Sequence, residues 1–340
     1  MKLLRKILFF LITLTIILLL GDLYLRVSGI QDPSNNKFNP TLGRIRRENF
    51  KYVKLNEGFS INNFNDYSYL GPSYPPEKPD SIIRVALLGD SYVEGFQVFE
   101  RDHFRSITEN KLNTKNTNRF ELLNFGRSGL GIANMFALDS LMIRNFNPDY
   151  ILYFAGINDF YSEAKDPLIP GVDIINGSDI IVNNHFSEKA IKEIKITYPI
   201  LQKSALLSML NNGRKLILSG KLDTILFDKF AAKAELLKDS TEESKVISLK
   251  IHKIIDRISI DSKIIIVNRS DCSFPDEITL LLKSKNIRQI NLSIVLSELQ
   301  DRDINPHYWK ATSKSGHWNQ IAHKTIGEYL AKEILKIVEN

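Results

Sequence analysis

Four short, mostly aliphatic or aromatic runs restrict what this chain can fold into. They cover residues 82–88, 120–125, 150–155 and 263–267, and the first three are each followed directly by glycine. Such runs suit strands that are buried on both faces of a parallel sheet. Stretches of helical character, at 104–112 and 133–146, separate the first three. The alternation predicts an α/β fold, a doubly wound parallel sheet flanked by helices in a flavodoxin-like three-layer arrangement.

The N-terminus predicts an attachment to a membrane. Residues 7–25 are predominantly apolar, and three basic residues lie among residues 1–6. By the positive-inside rule, residues 1–6 form a cytoplasmic tail and the rest of the chain is exported, to the periplasm or the cell exterior. A cleaved signal peptide is the alternative, but no small-x-small cleavage site follows the run. We expect a single-pass signal-anchor helix over 7–25.

The remainder divides into a lead-in and a domain. Residues 26–80 are rich in Asn, Pro, Gly, Tyr and Ser without a lasting period, which predicts an irregular lead-in and linker. A domain over 81–338 follows. At about 161–261 it carries an insertion that begins as a loop and becomes helical, with apolar residues at helical spacing over 225–237 and 246–258. We expect this helical insertion to lie beside the rim of the site.

Composition excludes several classes of protein. With 43% hydrophobic and 25% charged residues the chain is globular. The net charge is +6, but basic residues are mixed with acidic ones, so we expect no nucleic-acid partner. Cys272 is the single cysteine, which rules out an intramolecular disulfide within this sequence and a cysteine zinc cluster. We expect no metal, no cofactor, and a buried, inert thiol.

The sharpest local motif is Gly89-Asp90-Ser91, directly after the first predicted strand. A serine at a strand-to-helix turn faces the crevice at the sheet edge, where helix amides can stabilise a developing negative charge. The motif differs from the nucleophile elbow of α/β-hydrolases, because Val93 stands where that elbow needs glycine. Taken alone, the tripeptide is also compatible with a turn that only caps a helix.

Three further motifs fall at predicted strand ends or at a helix start. They are Asn124-Phe125-Gly126, Gly156-Ile157-Asn158-Asp159, and Gly316-His317-Trp318-Asn319 before an amphipathic stretch at 320–338. With these four motifs in this order, the chain resembles the SGNH/GDSL hydrolase family over residues 81–335, apart from the insertion. The matching positions are Ser91, Gly126, Asn158 and His317.

The resemblance implies a role for each matching residue. Ser91 would be the nucleophile and His317 its base, since an imidazole with a pKa near 6.5 is suited to taking the serine proton. The backbone amides of Ser91 and Gly126 and the side-chain amide of Asn158 would form the oxyanion hole. Loss of one such donor typically raises the barrier by about 3 kcal/mol.

The chain departs from the family beside the histidine. Family members usually carry an Asp two or three residues before it, where this chain has Ser315 and Lys314. Three alternatives stay open. Either a backbone carbonyl orients His317, or an acid comes from elsewhere, such as Asp303 or Asp301, or the activity has been lost.

Nearby side chains have less specific expected roles. Tyr92 and Arg127 flank the motifs and are candidate substrate contacts. His307 is expected to be a solvent-facing loop residue, with a substrate contact as the alternative. Asp90 and Asp159 are expected to hold turns through hydrogen bonds, as the resemblance implies.

The motifs together predict a serine esterase that hydrolyses an O-acyl ester, with acetyl as the expected group, through an acyl-enzyme. Export, anchoring and the resemblance suggest an acylated carbohydrate of the cell envelope as substrate. One alternative is a carbohydrate O-acyltransferase that uses the same serine. The other is a catalytically silent protein that binds an envelope polymer.

Overall fold

The described part of the chain forms two compact units. The computed structural model describes residues 2–28, 30–31, 33–55, 57–115, 119–162, 166–177, 179–218 and 246–339. The first unit is Met1–Lys37 with Lys192–Val246, and the second is Phe38–Ile191 with Ile247–Asn340. The helical pattern predicted at 225–237 lies outside the described residues.

The elements alternate between strands and helices over most of the second unit. In chain order they are α1 (Lys2–Ser28), β1 (Asn36–Asn39), β2 (Gly43–Arg46), β3 (Lys51–Lys54), β4 (Ser60–Asn63), β5 (Ile82–Gly89), α2 (Ser91–Glu94), α3 (Phe104–Lys115), β6 (Arg119–Gly126), α4 (Ile132–Leu141), β7 (Tyr150–Ala155), β8 (Gly171–Ile175), β9 (Asp179–Asn183), α5 (Glu188–Leu201), α6 (Ala205–Leu218), α7 (Leu249–Ile258), β10 (Ile264–Asn268), α8 (Asp276–Ser284), β11 (Arg288–Asn291), α9 (Ser293–Asp301), β12 (Tyr308–Trp309), β13 (Lys314–Ser315) and α10 (Gln320–Glu339). Short 3₁₀ helices cover Glu100–Asp102, Ile143–Phe146 and Ile157–Phe160.

A five-stranded parallel sheet forms the centre of the second unit. Its strand order is β6-β5-β7-β10-β11. The direction in which the sheet grows reverses at β5, so a crevice opens between the carboxyl ends of β5 and β7. The prediction of a doubly wound α/β fold is confirmed.

Each sheet face is covered by a layer of helices. Along β5, Val85 and Leu87 pack into one core and Ala86 and Leu88 into the other, and all four are fully buried. Helices α3, α9 and α10 complete the first core, and α4, α7 and α8 the second. Burial on both faces is why these strands read as continuous apolar runs.

The lead-in contributes regular structure to the second unit. β3 and β4 pair as an antiparallel hairpin, with Lys54 opposite Ser60, so Glu57 lies in the connection between them. The hairpin is fastened to the segment after α2, because Asn62 donates to the carbonyl of Val98 at 2.8 Å and Ser60 donates to that of Phe96. The predicted insertion region also holds the β8–β9 hairpin and, from the pattern at 246–258, helix α7.

One expectation about a side chain is wrong. Cys272 is exposed rather than buried. It lies in the loop between β10 and α8, where its carbonyl accepts a hydrogen bond from Asn268 Nδ2 at 2.9 Å.

A close helix contact makes a glycine necessary in α10. A Cβ added to Gly327 would lie 2.8 Å from Ile107 Cβ and 2.9 Å from the carbonyl oxygen of Phe104, both in α3. We predict that Gly327→Ala lowers the free energy of unfolding by about 1–2 kcal/mol, because overpacking outweighs the gain in helix propensity. Gly171→Ala is the control, since its nearest neighbour would be Asn134 Nδ2 at 3.9 Å. Equal stability of both variants in chemical denaturation would contradict the packing argument.

Candidate functional site

Ser91 lies at the start of a short helix that follows strand β5. Asp90 caps this helix, because its Oδ1 accepts from the amide of Tyr92 at 3.0 Å. The helix ends after one turn at Gly95, which has φ +65°, and a Cβ there would lie 2.1 Å from His103 Nε2. The serine is therefore held at the sheet edge by a cap on one side and an obligatory glycine on the other.

Ser91 and His317 are in direct contact. The distance between Ser91 Oγ and His317 Nε2 is 2.8 Å, although the residues lie 226 positions apart. His317 stands between β13 and α10, and its carbonyl accepts from Trp309 Nε1 at 3.0 Å. The expected meeting of these two side chains is present in the structure.

The other nitrogen of the imidazole is bonded to Glu57. His317 Nδ1 lies 3.0 Å and 3.1 Å from the two carboxylate oxygens of Glu57, and the backbone amide of His317 donates to Glu57 Oε2 at 3.0 Å. Burial alone would raise the pKa of Glu57, but these hydrogen bonds and the charge of His317 lower it overall. An ionised Glu57 only accepts, so Nδ1 carries the proton and Nε2 is free to accept from Ser91.

This contact identifies the group beside Nδ1 of His317. The partner of Nδ1 is Glu57, and neither Asp301, Asp303 nor a backbone carbonyl occupies that position. Glycine at 316 makes the approach possible, because a Cβ there would lie 2.6 Å from the carboxyl carbon of Glu57.

Gly126 and Asn158 lie at the ends of the strands on either side of β5. A Cβ on Gly126 would lie 2.1 Å from the amide nitrogen of Glu94, so glycine lets α2 pack against β6. The amide of Gly126 donates to Asn124 Oδ1 at 2.8 Å and is therefore already engaged. Asn158 is exposed in the turn after β7. The role of Gly126 that the structure displays is close packing, and Asn158 is accessible to a ligand.

Arg269, which the sequence did not single out, connects three strand ends. It follows β10, and its Nη2 lies 2.7 Å from Asp90 Oδ2 and 3.3 Å from Asp159 Oδ2. Its guanidinium also covers the ring of Tyr92, 5.0 Å from the centroid. Burial raises the pKa of Asp159 to about 6 even though Arg269 opposes this. Asp90 and Asp159 accept hydrogen bonds within their turns, at the amides of Tyr92 and Gly156.

His307 forms a second histidine–carboxylate pair next to the site. Its Nδ1 lies 3.0 Å from the carbonyl oxygen of Gly316, and its Nε2 lies 2.9 Å from both oxygens of Asp271. A carbonyl only accepts, so Nδ1 donates to Gly316, and the carboxylate of Asp271 beside Nε2 raises the pKa of His307 and favours its protonated form. His307 is half-buried, so its ring is only partly solvent-facing. The ring of Tyr92 contacts both histidines, with centroids 6.0 Å from His307 and 4.9 Å from His317.

Arg127 is buried rather than available to a substrate. Its guanidinium donates to the carbonyls of Leu42 at 3.1 Å and Leu168 at 3.4 Å, and burial lowers its pKa to about 10. It therefore holds two loops against the sheet. Beside it, the buried carboxylate of Glu94 accepts from Arg46 at 3.1 Å and from the amide of Ser128 at 2.9 Å, which fixes the base of α2.

Comparison with known proteins yields distant structural matches. No family model and no curated protein matches the sequence. Among solved structures, a member of the lipolytic G-D-S-L family from Veillonella parvula is 12% identical, with 75% of this chain and 98% of that chain covered and a TM-score of 0.36. The esterase EstA from Pseudoalteromonas sp. is 10% identical (76% and 99% covered, TM-score 0.39), and the acetyl xylan esterase AlAXEase is 12% identical (74% and 100%, TM-score 0.38). Similarity at this level assigns no activity to this chain.

The charge state of His307 gives a direct test of the second pair. Burial acts to lower the pKa of His307, but the hydrogen bond and charge of Asp271 raise it overall. Because the folded-state pKa is raised, the pair stabilises the fold at low pH, and this contribution is lost as pH rises through the raised value. We predict that Asp271→Asn lowers the pKa of His307 in an NMR titration, because the carboxylate that raises it is removed.

The control in the same titration is His323. Burial lowers the pKa of this residue to about 3, and Asp271 is not among the groups that shift it. An unchanged pKa of His307 in Asp271→Asn would show that the carboxylate does not hold the proton there.

Proposed function

We propose that this chain is a serine esterase of the SGNH/GDSL type that hydrolyses an O-acyl ester through an acyl-enzyme on Ser91. One observation carries the proposal: the continuous line of hydrogen bonds from Ser91 Oγ through the imidazole of His317 to Glu57. A serine is a poor nucleophile until a base takes its proton, and a third group must orient that base. Here Ser91 is the proposed nucleophile, His317 the base and Glu57 the group that orients the base.

In the first half of the proposed reaction, His317 Nε2 takes the proton from Ser91 Oγ as Oγ bonds to the ester carbonyl carbon. Negative charge then develops on the former carbonyl oxygen. The amide of Ser91, at the N-terminus of α2, and the exposed side chain of Asn158 are proposed to donate to it. Gly126 remains an expected third donor, which requires that its amide exchange Asn124 Oδ1 for the oxyanion.

In the second half, the imidazolium of His317 gives its proton to the leaving alcohol oxygen, and the C–O bond of the ester breaks. Water then attacks the acyl carbon while His317 Nε2 accepts a proton from it. The bond between the acyl carbon and Ser91 Oγ breaks, His317 returns the proton to Oγ, and the acid is released. Glu57 stays ionised throughout and stabilises the imidazolium, in keeping with its lowered pKa.

The presence of Glu57 bears on the alternatives. A catalytically silent binding protein was motivated only by Ser315 and Lys314 standing where an acid is expected, and Glu57 supplies that acid from the β3–β4 connection. An O-acyltransferase would use the same acyl-enzyme and differ only in its acceptor, a sugar hydroxyl instead of water. Because hydrolysis needs no acceptor site beyond the crevice, it is the interpretation that we adopt.

The proposed location and substrate rest on the N-terminal helix and on the family resemblance. α1 has 27 residues and is long and apolar enough to cross a membrane, a property that signal sequences share. We propose that it anchors the chain in a single pass with residues 1–6 in the cytoplasm. The second unit would then act on an acetylated carbohydrate of the cell envelope.

Removal of the nucleophile tests the proposal at its centre. We predict that Ser91→Ala abolishes both labelling by a fluorophosphonate probe and hydrolysis of p-nitrophenyl acetate, because no other hydroxyl contacts His317 Nε2 among the described residues. Ser128→Ala is a matched control in the neighbouring loop and should keep labelling, since Ser128 contacts Glu94 instead of the histidine.

Labelling that persists in Ser91→Ala would contradict the assignment. Failure of the wild-type protein to label, with an intact fold by circular dichroism, would overturn the esterase proposal itself. Faster acetyl transfer to an oligosaccharide than to water would identify the transferase.

Replacement of the orienting acid should reduce turnover without removing the nucleophile. We predict that Glu57→Gln lowers kcat by about a thousandfold or more with little change in KM, because the amide no longer fixes the tautomer of His317 or stabilises its charge. Glu77→Gln, an exposed carboxylate of the same lead-in, should leave kcat unchanged.

A further control addresses the position that the family uses. Ser315→Asp should leave kcat unchanged in the wild-type background, because Nδ1 of His317 already has its partner. Wild-type turnover in Glu57→Gln would show that Glu57 has no part in the reaction.

A further inference from the structure

The turn between α5 and α6 is bonded to the C-terminal end of α1. The carboxylate of Asp22 accepts from Ser204 Oγ at 2.6 Å and from the amide of Leu206 at 2.9 Å. Arg26 pairs with Asp22 at 2.7 Å and also donates to the carbonyl of Lys203 at 2.6 Å. Two charged groups on one turn of α1 therefore hold the start of α6.

These bonds fix the level of the turn relative to the anchor. At about 1.5 Å per residue, an apolar segment over 7–25 matches a hydrocarbon core of about 30 Å. Asp22 and Arg26 lie at its C-terminal end, and charged groups in such helices are placed at the membrane–water interface. The α5–α6 turn is then at the height of the lipid headgroups.

The part of α5 in the first unit has one buried face and one exposed apolar face. Ile194, Tyr198 and Leu201 are buried, whereas Ile196 and Ile200, one helical turn apart, are 57% and 54% exposed. A soluble helix normally carries polar residues on its outer face. An exposed apolar face of this kind therefore indicates a surface that packs against another molecule or a membrane.

Helix α6 repeats this arrangement. Ala205 and Ser208 are buried. The opposite side exposes four aliphatic residues, each between 42% and 74% accessible: Leu207, Leu210, Ile217 and Leu218. No described residue covers these side chains, and α1 beside them is also uncovered along its apolar window.

Basic residues accompany the apolar faces. Between residues 192 and 218 the basic residues are Lys192, Lys195, Lys203, Arg214 and Lys215, and the acidic one is Glu193. Glu193 pairs with Lys215 at 3.1 Å. An apolar face with a basic excess is typical of helices that lie in the interface of a membrane containing anionic lipids.

We propose that α5 and α6 of the first unit lie on the membrane surface at the C-terminal end of α1, with Ile196, Ile200, Leu207 and Leu210 among the acyl chains. The bilayer is the occupant favoured over a protein partner, because the turn that joins the two helices is bonded to the C-terminal end of α1, whose own apolar window is exposed. The inference rests on α1 as a membrane anchor, which is part of the proposed function, and not on ester hydrolysis.

The test uses the full chain in lipid vesicles. The exposed Cys272 is replaced by serine, and a single cysteine carrying the environment-sensitive fluorophore NBD is introduced by Leu210→Cys. The vesicles contain phosphatidylcholine with about one third phosphatidylglycerol, and a nitroxide-labelled lipid is the quencher. We expect the loss of NBD intensity at 210 to reach at least half of the loss at Ile16→Cys, within α1.

A matched control lies two residues away on α6. Asn212→Cys replaces an exposed residue whose side chain donates to Gln31 Oε1 at 3.1 Å, on the other side of the helix. It should show little quenching. Replacement of phosphatidylglycerol by phosphatidylcholine should reduce quenching at 210 and leave position 16 unchanged.

Several results would overturn the inference. Quenching at 16 without quenching at 210 would show that the apolar faces do not meet lipid, and a blue-shifted but unquenched signal at 210 would mean that protein covers them. Equal quenching at 210 and 212 would contradict the assignment of faces. An unquenched position 16 would refute the anchor and the inference with it, while ester hydrolysis by the same vesicles reports separately on the esterase proposal.

Discussion

The contact between Glu57 and His317 is the interaction on which the candidate site depends. It joins a hairpin near the start of the second unit to a loop 260 positions further along the chain. An ionised carboxylate on Nδ1 fixes one tautomer and leaves Nε2 to accept from Ser91. The lead-in is therefore part of the site, and Gly316 provides the space that the carboxylate occupies.

The sheet brings the remaining groups to the same edge. Ser91 follows β5, Asn158 follows β7 and Arg269 follows β10. Because the carboxyl ends of parallel strands lie together, these three residues share one edge of the sheet. Arg269 then pairs with two half-buried carboxylates, Asp90 and Asp159, whose neutral forms desolvation alone would favour. The acids near the serine therefore stabilise turns, and His317 is the group that we propose to activate it.

The sequence predicts what local pattern and strand order determine. The runs at 82–88, 120–125 and 150–155 mark three strands because burial on both faces selects apolar residues, and the turn motifs place Ser91 and Asn158. Glu57 could not be found this way, because nothing in a short hairpin connection records a partner that only the tertiary fold supplies. Ser315 and Lys314 left open whether a backbone carbonyl or a distant acid orients His317, or whether activity has been lost. The same lack of a local pattern hid Arg269 and the His307–Asp271 pair.

The most direct test of the account is a crystal structure of the chain after reaction with a fluorophosphonate, which reports the nucleophile and its supporting groups together. We expect phosphorus bonded to Ser91 Oγ, His317 Nε2 within hydrogen-bonding distance of the adduct, and the Glu57 carboxylate still on Nδ1. Phosphorus on another side chain, or Glu57 turned away from His317 in the adduct, would contradict the account.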